Sequence, residues 1–299
     1  METKRIGFIG FGEVGRVFAL EMRSKGAEVF YYDVVQKKPE PRISFLPLSE
    51  LIDRCDVILS TASTHRAVEI AEEAVPHLRA GKIYADMNST SGPMKDRIGR
   101  VIEPSGADFV EGAILSAVGE AGAKASILVC GKRGEEFSGL MNQLGLVNLK
   151  YFSPRIGEAS QVKMIRSVFS KGIECLLLEM LIAGRRADVA EYLWKDIVDF
   201  MTKNSFERVA ENWIRTHSVA FERRYHEMVQ VVETLKEMGV EPLMTKGTLD
   251  FFGRSRALGL EKAFETKPES FWEVPSYMER ELKPKSSPPP TPPPLKTVS

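Results

Sequence analysis

The sequence contains few cysteines, no excess of either charge and no long apolar run. Its three cysteines, Cys55, Cys130 and Cys175, are isolated, with no CxxC pair and no nearby histidine. This pattern argues against a disulfide framework and a metal site, and we expect three buried, reduced thiols. Lysine plus arginine and aspartate plus glutamate both number 41, so no net charge favours nucleic acid or an acidic membrane as a partner.

Signals for export or membrane insertion are equally scarce. The opening METKRIGFIG enters an apolar strand pattern too early for a signal peptide. No stretch of about 18 apolar residues indicates a membrane span. We therefore expect a cytoplasmic protein without a membrane partner.

The 299 residues suffice for about two domains. Up to about residue 152, short β-branched runs alternate with helical segments, as in a doubly wound α/β sheet. The predicted strands are Arg5–Ile9, Glu28–Tyr32, Val57–Ser60, Ile83–Ala85, Asp108–Glu111 and Ile127–Cys130. Helices are predicted after Gly12, from Ser91-Gly92-Pro93, and at 160–184, 188–202, 206–216, 217–238 and 243–252.

The stretch KRIGFIGFGEVG, residues 4–15, places a GxGxxG pattern between a strand and an amphipathic helix. Gly10 permits a tight turn, Gly12 lets the backbone approach a pyrophosphate, and Gly15 allows close helix packing. The helix N-terminus offers unpaired N–H groups to the phosphates. We interpret the stretch as a dinucleotide site, with a plain capping turn as the alternative. The expected cofactor contacts are Gly10, Phe11, Gly12, Glu13, Val14 and Gly15.

Asp33 indicates which dinucleotide is preferred. It ends the second predicted strand, 18 residues after Gly15. Its carboxylate can accept both adenosine ribose hydroxyls and repels a 2′-phosphate, so NAD is favoured over NADP. Lys37 and Lys38 follow closely and weaken this preference.

Small and polar residues follow the next two strands. Thr61, Ala62 and Ser63 come after one strand, and Asn88 and Ser89 come after the other. Open α/β sheets bind ligands in the crevice at the carboxyl ends of their strands, so we expect these residues to contact the cofactor. Helix capping is the alternative, since serine and asparagine favour cap positions.

Near residue 157 the pattern changes from α/β to helical. Residues 160–184 carry a broad apolar face with a helical period. The end, KPKSSPPPTPPPLKTVS, lacks the apolar content needed to pack. We therefore predict a Rossmann-type dinucleotide-binding domain at 1–156, an all-helical domain at 157–283 and a disordered, proline-rich tail at 284–299.

Three motifs, together with the glycine fingerprint, resemble the β-hydroxyacid dehydrogenases. They are DMNSTSGP at 86–93, EGAILSA at 111–117 and GEASQVKMIRSVFSKG at 157–172. That superfamily includes 3-hydroxyisobutyrate and 6-phosphogluconate dehydrogenases, and the resemblance spans residues 4–260. The later FERRYHEM at 221–228 is similar to a branch with a poorly characterised C-terminal domain.

The resemblance implies an oxidoreductase in which Lys163 is the general acid/base. Such a lysine exchanges a proton with the substrate's oxygen as hydride moves between the carbinol carbon and the nicotinamide, and partial burial lowers its pKa. A solvated helix lysine is the alternative. Ser167, one turn further, lies where the family has asparagine and is expected to contact the substrate. Arg166 is another polar partner on this face.

Two more residues are implied in substrate binding. Ser116 matches the family's contact to a substrate carboxylate, although the family's proline and glycine pair are absent from residues 111–117. The loss of the glycine pair removes N–H groups that approach an anion, which favours a bulkier or less anionic substrate. Arg223 is expected to reach the substrate from the helical domain. A plain loop residue and a solvated charge are the respective alternatives.

The leading hypothesis is thus an NAD(P)-dependent dehydrogenase that acts on CH–OH groups of a small molecule and forms a homodimer through its helical domain. Two other functions stay open. An imine reductase shares the architecture, although members of that type hold a different residue at the position of Lys163. A non-catalytic dinucleotide-binding scaffold would dock SH3- or WW-like modules on the proline-rich tail.

Overall fold

The computed structural model describes residues 4–35 and 40–282, which form two compact units that divide after Phe169. In the first unit eight strands form one sheet. They are β1 (Arg5–Ile9), β2 (Glu28–Tyr32), β3 (Ile43–Phe45), β4 (Val57–Ser60), β5 (Ile83–Asp86), β6 (Asp108–Ile114), β7 (Ile127–Cys130) and β8 (Leu149–Ser153). Their order is β3-β2-β1-β4-β5-β6-β7-β8, and only β6 and β7 pair antiparallel.

Helices cover both faces of this sheet. They are α1 (Glu13–Ser24), α2 (Leu48–Arg54), α3 (Ala67–Ala74), α4 (Gly92–Ile102), α5 (Val118–Ala121), α6 (Gly134–Gln143) and the first part of α7 (Glu158–Arg186). The face with Phe8 packs against α1 and α6, and the face with Ile58 and Tyr84 packs against α2, α3 and α4. Because the inner strands are buried on both faces, their sequences are almost entirely apolar.

The chain changes direction in the sheet at β1, which lies between β2 and β4. Open α/β sheets bind ligands at the carboxyl ends of the strands at such a point. Here the N–H of Gly10 donates to the carbonyl of Tyr32 at 2.8 Å. The N–H of Thr61 donates to the carbonyl of Ile9, also at 2.8 Å. These bonds fix the turns after β1, β2 and β4 relative to one another.

The second unit, taken by itself, contains helices and no strand within its described residues. They are the remainder of α7, with α8 (Ala190–Lys203), α9 (Phe206–Glu237), α10 (Leu243–Ala257), α11 (Leu260–Ala263) and α12 (Glu273–Glu281). Phe221 of α9, Leu260 of α11 and Val274 of α12 form a buried cluster, and Phe252 of α10 packs against it. The Glu179 carboxylate accepts from the N–H of Met244 at 2.8 Å and of Thr245 at 2.9 Å, which caps α10.

The predicted α/β fold with a helical C-terminal part is confirmed. All six predicted strands are present, and β5 and β6 run further than expected. The sequence did not indicate β3, which has three residues, or β8, whose central side chains are exposed. The separate helices predicted at 206–216 and 217–238 are wrong, because α9 is continuous and no glycine or proline interrupts it there.

The cysteine prediction is correct for two of three residues. Cys55 and Cys130 are buried free thiols, and burial raises the pKa of Cys130 to about 11. Cys175 is exposed, which corrects the expectation of a third buried thiol. It lies on α7, where apolar side chains occur on more than one side of the helix, so the sequence defines no single buried stripe.

The division after Phe169 lies inside α7, whereas the sequence placed a boundary at residue 157. The two differ because α7 continues without a break from one unit into the next. Lys37, Lys38 and the tail at 284–299 lie outside the described residues. Within the described part of the chain, no helix combines the length and the apolar character that a bilayer crossing requires.

Candidate functional site

The glycine turn after β1 contains two kinds of glycine. Gly10 has φ +92°, and a Cβ there would lie 2.7 Å from the Cα of Ala62. A Cβ on Gly15 would lie 2.3 Å from the carbonyl oxygen of Gly10. A Cβ on Gly12 would meet nothing within 4 Å. Packing therefore requires glycine at two positions, while at Gly12 the backbone borders open space.

That open space belongs to a cleft of about 440 Å³ beside the turn. The lining residues come from the ends of β1, β2 and β4, from the start of α1 and from α3. Among them are Gly10, Gly12, Glu13, Val14, Asp33, Thr61, Ala62, Ser63, Arg66 and Glu73. The structure thus brings most of the predicted cofactor residues to one cleft. Its volume is typical of small-molecule sites.

Phe11 is an exception among the turn residues. Its side chain is 3% exposed and stacks on Tyr31, with the ring centres 4.1 Å apart. Only its backbone takes part in the turn, because its N–H donates to Asp33 Oδ2 at 2.7 Å. The other oxygen, Oδ1, accepts from the N–H of Val35 at 2.9 Å. Asp33 is thereby oriented by two backbone donors at the rim of the cleft.

The described charged residues that line the cleft together with Asp33 are Glu13, Arg66 and Glu73. The Arg66 guanidinium donates to Glu69 at 2.9 Å and to Glu73 at 3.1 Å. The two glutamates outnumber the arginine. A doubly charged phosphate therefore gains little from Arg66 at this end of the cleft.

The loop after β5 places Asn88 and Ser89 differently. Asn88 is 5% exposed, and its amide donates to Ser60 Oγ at 3.0 Å and to Asp86 Oδ1 at 2.5 Å. Its side chain therefore holds the loop against β4 and β5. Ser89 is exposed at the surface of the unit.

Beneath this loop lies a charged pair that is fully buried. Lys95 on α4 and Asp86 at the end of β5 are both 0% exposed. The Lys95 ammonium donates to Asp86 Oδ2 at 2.6 Å, to the Asp86 carbonyl at 2.8 Å and to the Asn88 carbonyl at 2.8 Å. Each of its three protons thus has an acceptor.

Lys163 lies in the first turns of α7, and its ammonium donates to Ser89 Oγ at 2.5 Å. The side chain is half-buried. Burial lowers the pKa of Lys163 below the ordinary value for lysine, and the charge of Lys95 lowers it further. The sequence's catalytic candidate therefore lies in the first unit, with a neighbour from the loop after β5.

Glu111 on β6 fixes the start of α7. It is fully buried, and its carboxylate accepts from the N–H of Gly157 and, at 2.6 Å, from that of Ser160. These are orphan donors at the helix N-terminus, where a negative charge is favourable. Gly157 has φ +96° and abuts Gly92, where a Cβ would lie 2.9 Å from its carbonyl oxygen.

The candidate substrate residues are divided between the two units. Ser116 accepts from the N–H of Ser126 at 2.9 Å, and Ser167 donates to the Lys163 carbonyl at 3.0 Å. Arg166 donates to the Leu115 carbonyl at 2.6 Å. These groups lie in the first unit beside Lys163 in sequence or on the neighbouring loop. Arg223 lies in the second unit, exposed and paired with Glu227 one turn on.

Sequence reasoning missed Asp86, Lys95 and Glu111. Lys95 has the usual appearance of a solvated helix lysine, and Glu111 that of a strand end. One signal was available in the sequence. Asp86 and Glu111 are charged residues in strand segments whose other residues are mostly apolar and buried. Among the described residues, no three histidine, cysteine or acidic side chains gather as a metal site.

Fold and turn together define a dinucleotide-binding protein of the dehydrogenase type. Residues 5–145 match the NAD binding domain of 6-phosphogluconate dehydrogenase, and residues 185–254 match DUF1932, a domain of unknown function. A solved conserved protein of unknown function, described as structurally similar to 3-hydroxyacid dehydrogenases, is 30% identical at a TM-score of 0.56, over 85% of this chain and 97% of that one. The chain belongs to this β-hydroxyacid dehydrogenase superfamily.

Other relatives have assigned activities. The 2-(hydroxymethyl)glutarate dehydrogenase of Eubacterium barkeri is 20% identical over 90% of this chain and 95% of its own length. An imine reductase from Aspergillus terreus, solved with NADPH, has a TM-score of 0.72 at 15% identity, over 87% of this chain and 95% of that one. A Myxococcus stipitatus imine reductase variant, solved with NAD+, has a TM-score of 0.69 at 16% identity, over 95% of this chain and 100% of that one. The imine reductases share the fold.

We expect Gly12→Val to affect NAD binding and Gly15→Ala to affect the stability of the fold. The Gly12 variant should keep its fold and lose on the order of 100-fold in NAD affinity, because its side chain occupies the space beside the turn. The Gly15 variant should lose about 1–3 kcal/mol of stability, since its Cβ collides with the Gly10 carbonyl. Calorimetric NAD titration and thermal unfolding measure both. Full NAD affinity in a folded Gly12→Val protein would contradict the dinucleotide assignment.

Proposed function

We propose that the protein is an NAD-dependent dehydrogenase that oxidises a CH–OH group of a β-hydroxyacid-like substrate, with Lys163 as general acid/base. The observation that carries the proposal is the half-buried Lys163 ammonium, 2.5 Å from Ser89 at the carboxyl end of the sheet. This edge of the sheet also holds the glycine turn and its cleft. Superfamily membership supports the same reading.

The residues present fit a dinucleotide. The open space at Gly12 admits a pyrophosphate, and the free N–H groups at the start of α1 face an anion favourably. Asp33 is held by its backbone donors at the rim, where it can accept ribose hydroxyls. Thr61 donates to the Gly10 carbonyl at 2.7 Å and so shapes the turn. When bound, the nicotinamide supplies the hydride acceptor.

In this scheme Lys163 transfers the proton of the substrate hydroxyl. Burial, and then the charge of Lys95, lowers the pKa of Lys163, so at a given pH more of it is the neutral amine than for an ordinary lysine. The amine takes the proton of the substrate hydroxyl during oxidation, and the ammonium returns it in the reverse direction. Ser89 accepts one ammonium proton and so orients the amine. In the loop after β5, the backbone and Ser89 are the groups that face a ligand. The Asn88 side chain supports the loop from below.

Substrate binding falls to Ser116 and Arg166 in the first unit. The Ser116 oxygen already accepts from Ser126, so its hydroxyl proton is oriented and can be donated to a substrate oxygen. Arg166 uses one nitrogen for the Leu115 carbonyl, and its planar fork can bind a carboxylate with others. Ser167 spends its proton on the Lys163 carbonyl and contributes an acceptor. Arg223 remains a predicted substrate contact.

We expect Lys163→Met to reduce turnover by roughly 10²–10⁴-fold on the hydroxy acid that the parent oxidises fastest, because methionine carries no proton. In the parent, the oxidation rate should rise with pH through the Lys163 pKa, and this limb should lie below the ordinary lysine range. The variant should lose the limb and keep its NAD affinity. Lys171→Met removes an exposed lysine of α7 as a control. Parent-like turnover in Lys163→Met would refute the mechanism.

The preference for NAD is also a proposal, supported by Asp33 and by the excess of glutamates around Arg66. Asp33→Ser should raise the affinity for NADP relative to NAD on the order of tenfold, because it removes repulsion of the 2′-phosphate. Asp56→Ser is the matched control, since Asp56 pairs with Arg5 at the amino ends of the strands. The two affinities are measured by fluorescence titration. An unchanged ratio in Asp33→Ser would assign the choice to another group.

We further propose a cytoplasmic homodimer formed through the helical unit. Leu178 and Ile182 on α7 are 55% and 50% exposed in the single chain, and such apolar surface is typical of an interface. Leu178→Asp should shift the protein from dimer to monomer in sedimentation at micromolar concentration. Val147→Asp, at a position 58% exposed in the first unit, is the control and should leave the dimer intact. A monomeric parent would contradict this proposal.

A further inference from the structure

Lys95 and Asp86 form a fully buried ion pair, because both side chains are 0% exposed. Transfer of two charges out of water costs several kcal/mol per ion, and a buried pair is often no more stabilising than two apolar residues. Stability of the fold is therefore a poor reason for the pair. What the pair holds is more informative.

The Lys95 ammonium binds the backbone on both sides of Met87. It donates to the carbonyls of Asp86 and Asn88, at 2.8 Å each, and approaches the Gly112 carbonyl on β6 at 3.3 Å. One buried charge thus fixes the chain as it leaves β5. The next residue after Asn88 is Ser89, the hydrogen-bond partner of Lys163.

The helix that carries Lys95 also meets the helix that carries Lys163. α4 begins at Gly92, whose backbone abuts Gly157 immediately before α7. Both partners of the Ser89–Lys163 contact are therefore attached to segments that the buried pair or its helix holds in place.

We propose that the Lys95–Asp86 pair is a positioning element for the reaction at Lys163, which holds Ser89 against the Lys163 amine and fixes a second positive charge in its surroundings. This proposal rests on the proposed role of Lys163. Lys95 and Asp86 themselves have no contact with solvent and act through Ser89 and the field of the charge.

Electrostatics supports the same conclusion. After burial, Lys95 is the group that lowers the pKa of Lys163. Three carboxylates on the packed elements are engaged elsewhere: Asp86 with Lys95, Glu111 with the α7 amides, and Glu158 with Arg155. Arg166, on α7 itself, donates to the Leu115 carbonyl. Removal of the Lys95 charge should therefore leave Lys163 more fully protonated at a given pH.

The test measures the reactivity of Lys163 without any substrate. An amine-reactive reagent labels only the neutral amine, and mass spectrometry of the peptide gives the rate for Lys163 across pH. Asp86→Asn/Lys95→Gln removes both charges and keeps a donor for the loop carbonyls. Asp86→Asn/Lys95→Met removes the donor as well. In either folded variant we expect several-fold slower labelling of Lys163 near neutral to mildly alkaline pH, because Lys163 then keeps its proton to higher pH.

Lys82→Met is the matched control. Lys82 is another buried lysine, which donates to the carbonyls of Asp53 and Cys55 at 2.9 and 2.6 Å, just before β5 and so at its opposite end. It should lower stability and leave the Lys163 labelling profile unchanged. In the two double variants, the rise of the oxidation rate with pH should also move to higher pH. Lys82→Met should not move it.

Parent-like labelling of Lys163 in a folded double variant would overturn the proposal. So would failure of both double variants to fold, since the pair would then serve the fold alone. The labelling result is independent of the proposed function. If Lys163→Met proves active, the dehydrogenase mechanism fails while the labelling still reports whether Lys95 acts on Lys163.

Discussion

The carboxylate of Glu111 joins the sheet to the helix that carries Lys163. Buried in the middle of β6, it accepts from the first free amides of α7 at Gly157 and Ser160. Without it, a helix N-terminus would be buried with unsatisfied donors, at a cost of about 1–3 kcal/mol for each. The position of Lys163, less than two turns further, depends on this anchor. The candidate active site follows from how a long helix is attached to a sheet.

The first unit separates two tasks along the carboxyl edge of its sheet. At β1, β2 and β4, glycines and Asp33 form a cleft whose groups are mainly backbone. At β5 and β6, buried charges support a loop and a helix that present Ser89 and Lys163. Backbone donors suit a phosphate because they cannot move far, and buried charges shift the pKa of a neighbouring amine such as that of Lys163.

Much of this arrangement could be predicted from the sequence. Apolar runs located six strands, and the spacing of Gly10, Gly12 and Gly15 indicated the turn, because each glycine answers a separate steric demand. The catalytic role of Lys163 was predicted from a motif and stays a prediction. Lys95 could not be, since burial of a lysine depends on an aspartate and carbonyls that only the fold brings together. The continuity of α9 was missed because helical periodicity does not mark where one helix ends.

The most direct test of the account is a comparison of two reactions by the full chain, followed by the absorbance of the reduced nicotinamide. One set of reactions offers NAD+ with a panel of 3-hydroxy carboxylic acids, and the other offers NADH with cyclic imines. We expect formation of NADH from at least one hydroxy acid, faster as the pH rises toward the Lys163 pKa. Consumption of NADH by imines with no oxidation of any hydroxy acid, or binding of NAD without turnover in either set, would contradict it.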